Sequence, residues 1–213
     1  MRYYIADLHF YHENLNSQMD RRGFESGEAM NEYMIRQWNS KVKSGDDVVI
    51  LGDFCVAPKG DAANEILARL HGNKCLIIGN HDKCLESNSL RKEYFKWIRP
   101  YEELNDNRRK VILCHYPIMC YNAQYRLGKD GLPKTYMLYG HVHNTYDELL
   151  VNDWQEMARR HERTVKGSEE KMPVPCQMIN CFCMFSDYVP LSLDEWIALD
   201  AERRKNPRVQ DAL

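Results

Sequence analysis

No stretch of this chain approaches the roughly 18 consecutive apolar residues that a membrane-spanning helix needs, so no membrane partner is expected. The opening MRYYIADLHFYHEN has neither a continuous apolar core nor a small-residue cleavage site, unlike a secretory signal. Both absences point to a cytoplasmic protein. Eight cysteines are present, but no two stand as C-x-x-C, which argues against zinc-ribbon and thioredoxin-type chemistry. Several lie inside apolar runs such as KCLII and VILCHYP, where cysteine packs as a small hydrophobe. In a reducing compartment all eight are expected as free thiols. Neither a G-x-S-x-G nucleophile elbow nor a P-loop occurs. Internal repeats and low-complexity tracts are also missing. An excess of one charge is absent too: 29 Lys and Arg stand against 31 Asp and Glu. That balance gives no generally basic coat, so no stable nucleic-acid partner is expected.

The 213 residues suffice for one well-buried core and are too few for two full domains. A single domain over 1–213 is therefore expected. Arg2 to Ala6 reads as a first strand running into DLH. Met30, Met34, Trp38 and Val42 recur every four residues and predict a helix from about Glu28 to Val42. VVIL (Val48 to Leu51) has the profile of a buried strand and ends at GDF. DAANEILARLHG predicts a second helix, with Asp61 as N-cap and Gly72 as its stop. CLII (Cys75 to Ile78) leads to GNHD, KVILCHYP reads as a third such strand, and TYMLYGHVH as a fourth. Strands alternating with helices define an α/β arrangement. Ligands in such sheets lie beyond the carboxyl ends of the strands.

Residues 144–175 differ in pattern. Leu150, Trp154, Met157 and His161 share one helical face and predict an amphipathic helix packed on the body. RTVKGSEEKMPVP follows as a polar loop, so the segment reads as an insertion. CQMINCFCMFSDYVPLS predicts one or two closing strands, and SLDE a capping box that starts a last helix, LDEWIALDAERR. The final NPRVQDAL is expected to be loose.

Histidine is unevenly spread. Six of the eight histidines (His9, His12, His81, His115, His141 and His143) stand at or just past predicted strand ends, accompanied by Asp7, Asp53, Asn80 and Asp82. Mixed nitrogen and hard oxygen donors suit Mn, Fe, Zn or Co more than a thiolate-loving ion. The i, i+2 spacing in DLH and HVH would put both side chains on one side of extended backbone. Gly52, Gly79 and Gly140 would permit close backbone approach.

Each fragment alone is common. In the order D-x-H, G-D, G-N-H-D, H and G-H-x-H, from Asp7 to His143, the set closely resembles the calcineurin-like metallophosphoesterase superfamily. DLHFYHEN, LGDF, GNHD and LCHYP look like a small single-domain bacterial or phage branch, with Tyr11 standing where that branch often has glycine. The resemblance implies a four-layer α-β-β-α sandwich of two mixed sheets flanked by helices. It implies two divalent metal ions, manganese first, with Fe, Zn, Co or Ni as alternatives. Asp7, His9 and His143 would hold one ion, Asn80, His115 and His141 the other, and Asp53 would bridge them. His81 would reach toward substrate, oriented by Asp82, while a hydroxide shared by the metals attacks phosphorus.

With only two carboxylates among the ligands, such a cluster keeps the positive charge that draws a phosphate ester. A small phosphate-ester substrate, of phosphodiester or nucleotide type, is expected. His12 is a candidate substrate contact or a supporting residue. Tyr125 and Arg126, in the aromatic and basic stretch YNAQYRLGKDGLPKTY, are candidate base and phosphate contacts, or parts of a solvated loop. A phosphomonoesterase of the same fold is the alternative enzyme. A catalytically silent binding scaffold would be expected to have lost ligand positions, all of which are filled here. The oligomeric state is left open by the sequence.

Overall fold

The computed structural model describes residues 1–205, so the tail NPRVQDAL lies outside the described residues. Ten strands and four helices follow one another as β1 (Arg2–Ile5), α1 (Gly27–Lys41), β2 (Asp47–Leu51), α2 (Gly60–Arg69), β3 (Asn73–Ile77), β4 (Phe95–Arg99), β5 (Tyr101–Asp106), β6 (Arg109–Cys114), β7 (Thr135–Tyr139), α3 (Tyr146–Arg160), β8 (Glu162–Thr164), β9 (Lys171–Pro173), β10 (Met178–Asn180) and α4 (Leu193–Arg203). One sheet has the order β1-β2-β3-β4 and is parallel throughout. The other has the order β10-β7-β6-β5 and is mixed, since only the β5–β6 pair is antiparallel.

Side-chain alternation along the strands sorts the core into three layers. Ile5, Val48, Ile50 and Leu76 face Met30, Met34 and Trp38 of α1 and Ile66 and Leu67 of α2. Their neighbours Tyr4, Ala6, Val49 and Leu51 point the other way, against Val111, Leu113, Leu138 and Ile179 of the second sheet. Ile112, Met137, Tyr139 and Met178 form that sheet's outer face and meet Val151 and Ala158 of α3. Period-two alternation buried on both faces is what a strand covered on both sides requires. The result is the expected order of helix, sheet, sheet and helix.

α4 closes one edge of the gap between the sheets. Its Trp196 is buried among the inter-sheet residues and donates its indole N–H to the Tyr4 carbonyl at 2.8 Å. The SLDE capping box forms, with Ser192 and Glu195 each accepting the other's backbone N–H. At the same edge the chain after β10 meets β1, where the Ala6 N–H donates to the Cys181 carbonyl at 2.8 Å. All eight cysteines are free, and six of them are buried.

Several expectations need correction. α2 starts at Gly60 with Lys59 at its cap, and Asp61 lies in the first turn without capping. The buried face of α3 is Glu148, Val151, Gln155 and Ala158, whereas Leu150 and Met157 are nearly half exposed. The segment after α3 is not an unstructured loop, because β8 and β9 pair as an antiparallel hairpin. Finally, β4 and β5 were not anticipated; each ends one sheet.

Candidate metal centre

The candidate ligands hang from five strands: Asp7 and His9 after β1, Asp53 after β2, Asn80 after β3, His115 after β6, and His141 and His143 after β7. β1 to β3 belong to one sheet and β6 and β7 to the other. The cluster therefore forms where the carboxyl ends of both sheets meet, the position such sheets offer to ligands.

Strand alternation does not bring these side chains together. The φ angles are +56° at Asp7, +52° at His9, +52° at Asp53, +71° at His141 and +47° at His143. A side-chain-bearing residue in the left-handed region costs about 1–3 kcal/mol and persists only where its surroundings impose it. The D-x-H and H-x-H pairs thus converge by left-handed turns. Close approach also sets a need for glycine. A Cβ on Gly140 would lie 2.6 Å from Asp7 Oδ2 and 2.7 Å from Ala6 Cβ, and one on Gly79 would run into the Asp53 carboxylate.

Asp53 lies at the centre. Its Oδ2 is 3.4 Å from His9 Nε2 on one side and 3.4 Å from His115 Nε2 on the other. Beyond His9, the Nε2 atoms of His9 and His143 approach to 3.2 Å, and His143 Nε2 is 3.8 Å from Asp7 Oδ1. Beyond His115, Asn80 Oδ1 lies 2.9 Å from both His115 Nε2 and His141 Nδ1. Two donor groups thus flank Asp53. Asp7, His9 and His143 are close enough to share one ion, as are Asp7, Asp53 and His115.

Supporting contacts aim the rings. His143 gives Nδ1–H to Asp20 Oδ1 at 2.7 Å, and His115 gives Nδ1–H to the Leu51 carbonyl at 2.8 Å. Each bond sets the ring proton on Nδ1 and turns Nε2 into the cluster, the orientation a metal-binding imidazole needs once Nε2 is free of its proton. The Asn180 amide holds the His143 carbonyl at 2.7 Å. The backbone N–H of His141 donates to Asp7 Oδ1 at 2.9 Å, and that of His81 to Asp53 Oδ1 at 2.7 Å. Asp20, with its partner Arg22, was missed by the sequence reading. A charged DRR triplet carries no periodic signal, and Asp20 meets His143 only across 123 residues.

Burial dominates the titration of the cluster. It pushes the Asp7 carboxyl up, opposed by His143 and His115. It holds His9 well below the usual imidazole range, helped by His143, and lowers His12 and His141 as well. At Asp53 burial is outweighed by His115 and by the His81 N–H, and the carboxyl is lowered. Burial is likewise outweighed at His115, which Asp53 and Asp7 raise to about 9. Asp7 Oδ2 is buried without a hydrogen-bond partner. Buried polar atoms rarely lack one without a functional reason. An orphaned carboxylate oxygen beside imidazoles with Nε2 turned inward is a donor set that fits divalent ions of hard-to-intermediate character.

A cleft of about 240 Å³ opens over the cluster, where His12, Leu15, Met19, His81, Val142, Thr145 and Asp147 join five of the candidate ligands, His9, Asp53, Asn80, His141 and His143. His81 is exposed, and its ring centroid lies 5.3 Å from that of His9 and 6.3 Å from that of His12. Asp82 does not orient His81. Its buried carboxylate accepts the backbone N–H groups of Asp53 at 3.0 Å, Phe54 at 2.7 Å and Gly79 at 2.8 Å, tying the GDF turn to the GNHD turn. Tyr125 and Arg126 do not line the cleft. The Tyr125 ring is half exposed and lies under the Arg163 guanidinium of β8, 4.8 Å from its centroid. Tyr116 packs edge-on to His141 with ring centroids 4.5 Å apart and is nearly half exposed.

A four-layer sandwich bearing an Asp, His and Asn cluster at the strand ends defines a class of metal-dependent hydrolases. The chain belongs to the calcineurin-like phosphoesterase family, whose model it matches over residues 3–175. Its activity is accordingly metal-dependent hydrolysis of a phosphoester. It is 33% identical over 148 residues to an uncharacterized protein of Methanocaldococcus jannaschii, covering 68% of this chain and 72% of that one. Its fold is similar to the crystal structure of a protein of unknown function from Aquifex aeolicus, with a TM-score of 0.61 and 27% identity over 93% of this chain and 98% of that one. Among the described residues no helix is long and apolar enough to cross a membrane.

Proposed function

We propose that the protein is a binuclear phosphoesterase that hydrolyses a small phosphodiester or nucleotide-type substrate, with manganese as its working metal. Asp7, His9 and His143 would hold one ion and Asn80, His115 and His141 the other, with Asp53 between the two groups. The observation that carries this reading is the position of Asp53 Oδ2, equidistant at 3.4 Å from an imidazole of each group. Two divalent ions bound there supply the positive charge that takes up phosphoryl oxygens and the acidity that makes a water nucleophilic at neutral pH.

The chain's own residues do the rest. His81 stands on the open rim, where its ring donates a hydrogen bond to a phosphoryl oxygen or a proton to the leaving oxygen. Its main chain is fixed by the Asp53 carboxylate, so ring and bridging ligand keep one register. His12, which lines the cleft, is the group we propose to meet the leaving group, in place of Tyr125 and Arg126. The described residues are read as a single domain with 144–175 as an insertion. That reading is supported by the shared packing of Val151 and Ala158 with Ile112 and Met137.

The test uses metal-stripped protein refilled with Mn or other divalent ions, assayed on chromogenic monoester and diester substrates. Turnover of the diester with Mn, at two ions per chain, is the expected result. Preference for the monoester would replace the substrate class. Failure on both substrates with every metal would overturn the reading. An Asp53→Ala variant that kept full metal content and activity would remove the bridge.

A further inference from the structure

Arg22 is a full cation with its side chain completely buried beneath the cluster. Charges are seldom buried in this way unless every donor is used. Apart from weak contacts of Nη1 with the Met30 and Met34 sulfurs at 3.9 Å, its partners lie in or beside the candidate metal-ligand framework. The guanidinium donates to the Asp7 carbonyl at 2.9 Å and to the Leu8 carbonyl at 2.7 Å. It also pairs with Asp20 Oδ2 through Nε at 2.9 Å and through Nη2 at 2.8 Å. The other oxygen of Asp20 takes the His143 Nδ1–H. One side-chain chain therefore runs from the backbone of the first motif, through Arg22 and Asp20, to the ring of the last motif. The Asp7 carbonyl receives a further contact from Cys183 Sγ at 3.1 Å.

The backbone it grips is the strained one. Asp7 and His9 are both left-handed, and Leu8 lies between them. Two charge-assisted bonds to consecutive carbonyls are suited to holding such a turn against relaxation. Lysine, with one charged nitrogen, cannot span two carbonyls and a carboxylate in a fixed plane.

We propose that Arg22 and Asp20 act as positioning residues for one half of the centre. Arg22 imposes the left-handed Asp7–Leu8–His9 turn, and Asp20 fixes the tautomer and direction of His143. Their action falls on the Asp7, His9 and His143 group and not on the Asn80, His115 and His141 group, which they do not touch. The inference rests on the two-site reading of the centre.

The experiment measures manganese binding by equilibrium dialysis, with kcat and KM alongside, for the wild-type protein and for Asp20→Asn, Asp20→Ala and Arg22→Lys. Loss of an outer hydrogen-bond partner of a ligand typically weakens metal affinity about 10- to 100-fold. A loss of that size is expected for one of the two ions in Asp20→Ala, with the other ion bound as in the wild type. A fall in kcat at nearly constant KM should accompany it. Asp20→Asn, which keeps an acceptor, should restore part of the affinity. Arg22→Lys should resemble Asp20→Ala. A purely structural role would lower the melting temperature of the metal-free protein while leaving both affinities unchanged, and that result in folded Asp20→Ala would overturn the proposal. Should the wild type bind a single ion, the two-site reading fails on its own. The positioning role is then judged by whether Asp20→Ala still weakens that ion.

Discussion

Gly140 shows how little freedom the cluster leaves to a single residue. Its missing side chain is replaced by the Asp7 carboxylate, and a methyl group there would sit 2.6 Å from Oδ2. The Gly140→Ala variant should lose metal and fall in kcat/KM by about 100-fold, the usual consequence of misplacing a reacting group by roughly 1 Å. Steady-state kinetics with metal analysis checks this, and an unimpaired variant would refute the close-packing argument. His115 carries a different consequence. Its neighbouring carboxylates hold it protonated up to about pH 9 in the metal-free protein. Because a ligand nitrogen must be free of its proton, metal uptake at neutral pH should release a proton and affinity should rise with pH until that range is passed. Titrating Mn into weakly buffered protein beside a pH indicator reads the release directly. The seven candidate ligand positions stood out in the sequence because each follows a strand and a small turn, and the resemblance to the family supplied their roles. Asp20 and Arg22 were not, since their partners are backbone carbonyls and a ring far along the chain.

At the level of the element, α3 explains where apolar patterning misleads. Leu150, Trp154 and Met157 make an apolar stripe, yet the buried face is one position on and contains Glu148 and Gln155. Each of them has a partner for its carbonyl or carboxylate oxygen, although the Gln155 Nε2 is buried without one. Gln155 Oε1 accepts the Met178 N–H at 2.8 Å, and Glu148 pairs with Arg203 at 2.8 Å. Hydrophobicity alone cannot register such partners, which lie on β10 and α4. Truncating Val151 to Ala should cost about 2 kcal/mol for its two buried methyl groups. Leu150→Ala should stay within about 0.5 kcal/mol as a surface change. Denaturant melts of the two variants decide between the faces, and a larger loss at Leu150 would reverse the assignment. The strands β4 and β5 escaped notice for a related reason. FKWIR and YEELND are half-exposed edge strands, where charged residues break the alternation.

At the level of the whole molecule, the order of layers implied by the resemblance is built by three apolar clusters. What pattern does not give is how the two sheets are joined. β1 contacts the chain after β10 through Ala6 and Cys181, and Trp196 fills the same edge. Both sheets contribute to the metal centre, so the centre is complete only when that joint is made. Removing the ions should therefore weaken the docking of the sheets as well as abolish activity. For each site at 100 times its dissociation constant the linkage amounts to about 2.7 kcal/mol. A calorimetric scan of stripped and reloaded protein should show the melting temperature rising on reloading, and equal melting temperatures would sever the centre from the joint.

The five ligand-bearing turns also have a meaning for how the chain comes apart. His9 and His143 are 134 residues apart in sequence, yet their ring nitrogens meet at 3.2 Å. An ion held between them is a reversible cross-link that closes a loop spanning most of the protein. Such a link acts like a disulfide that a chelator can cut, narrowing the unfolded ensemble as a covalent bridge does. A chain pulled or heated in the presence of metal would then have to surrender its ions before its sheets could separate fully.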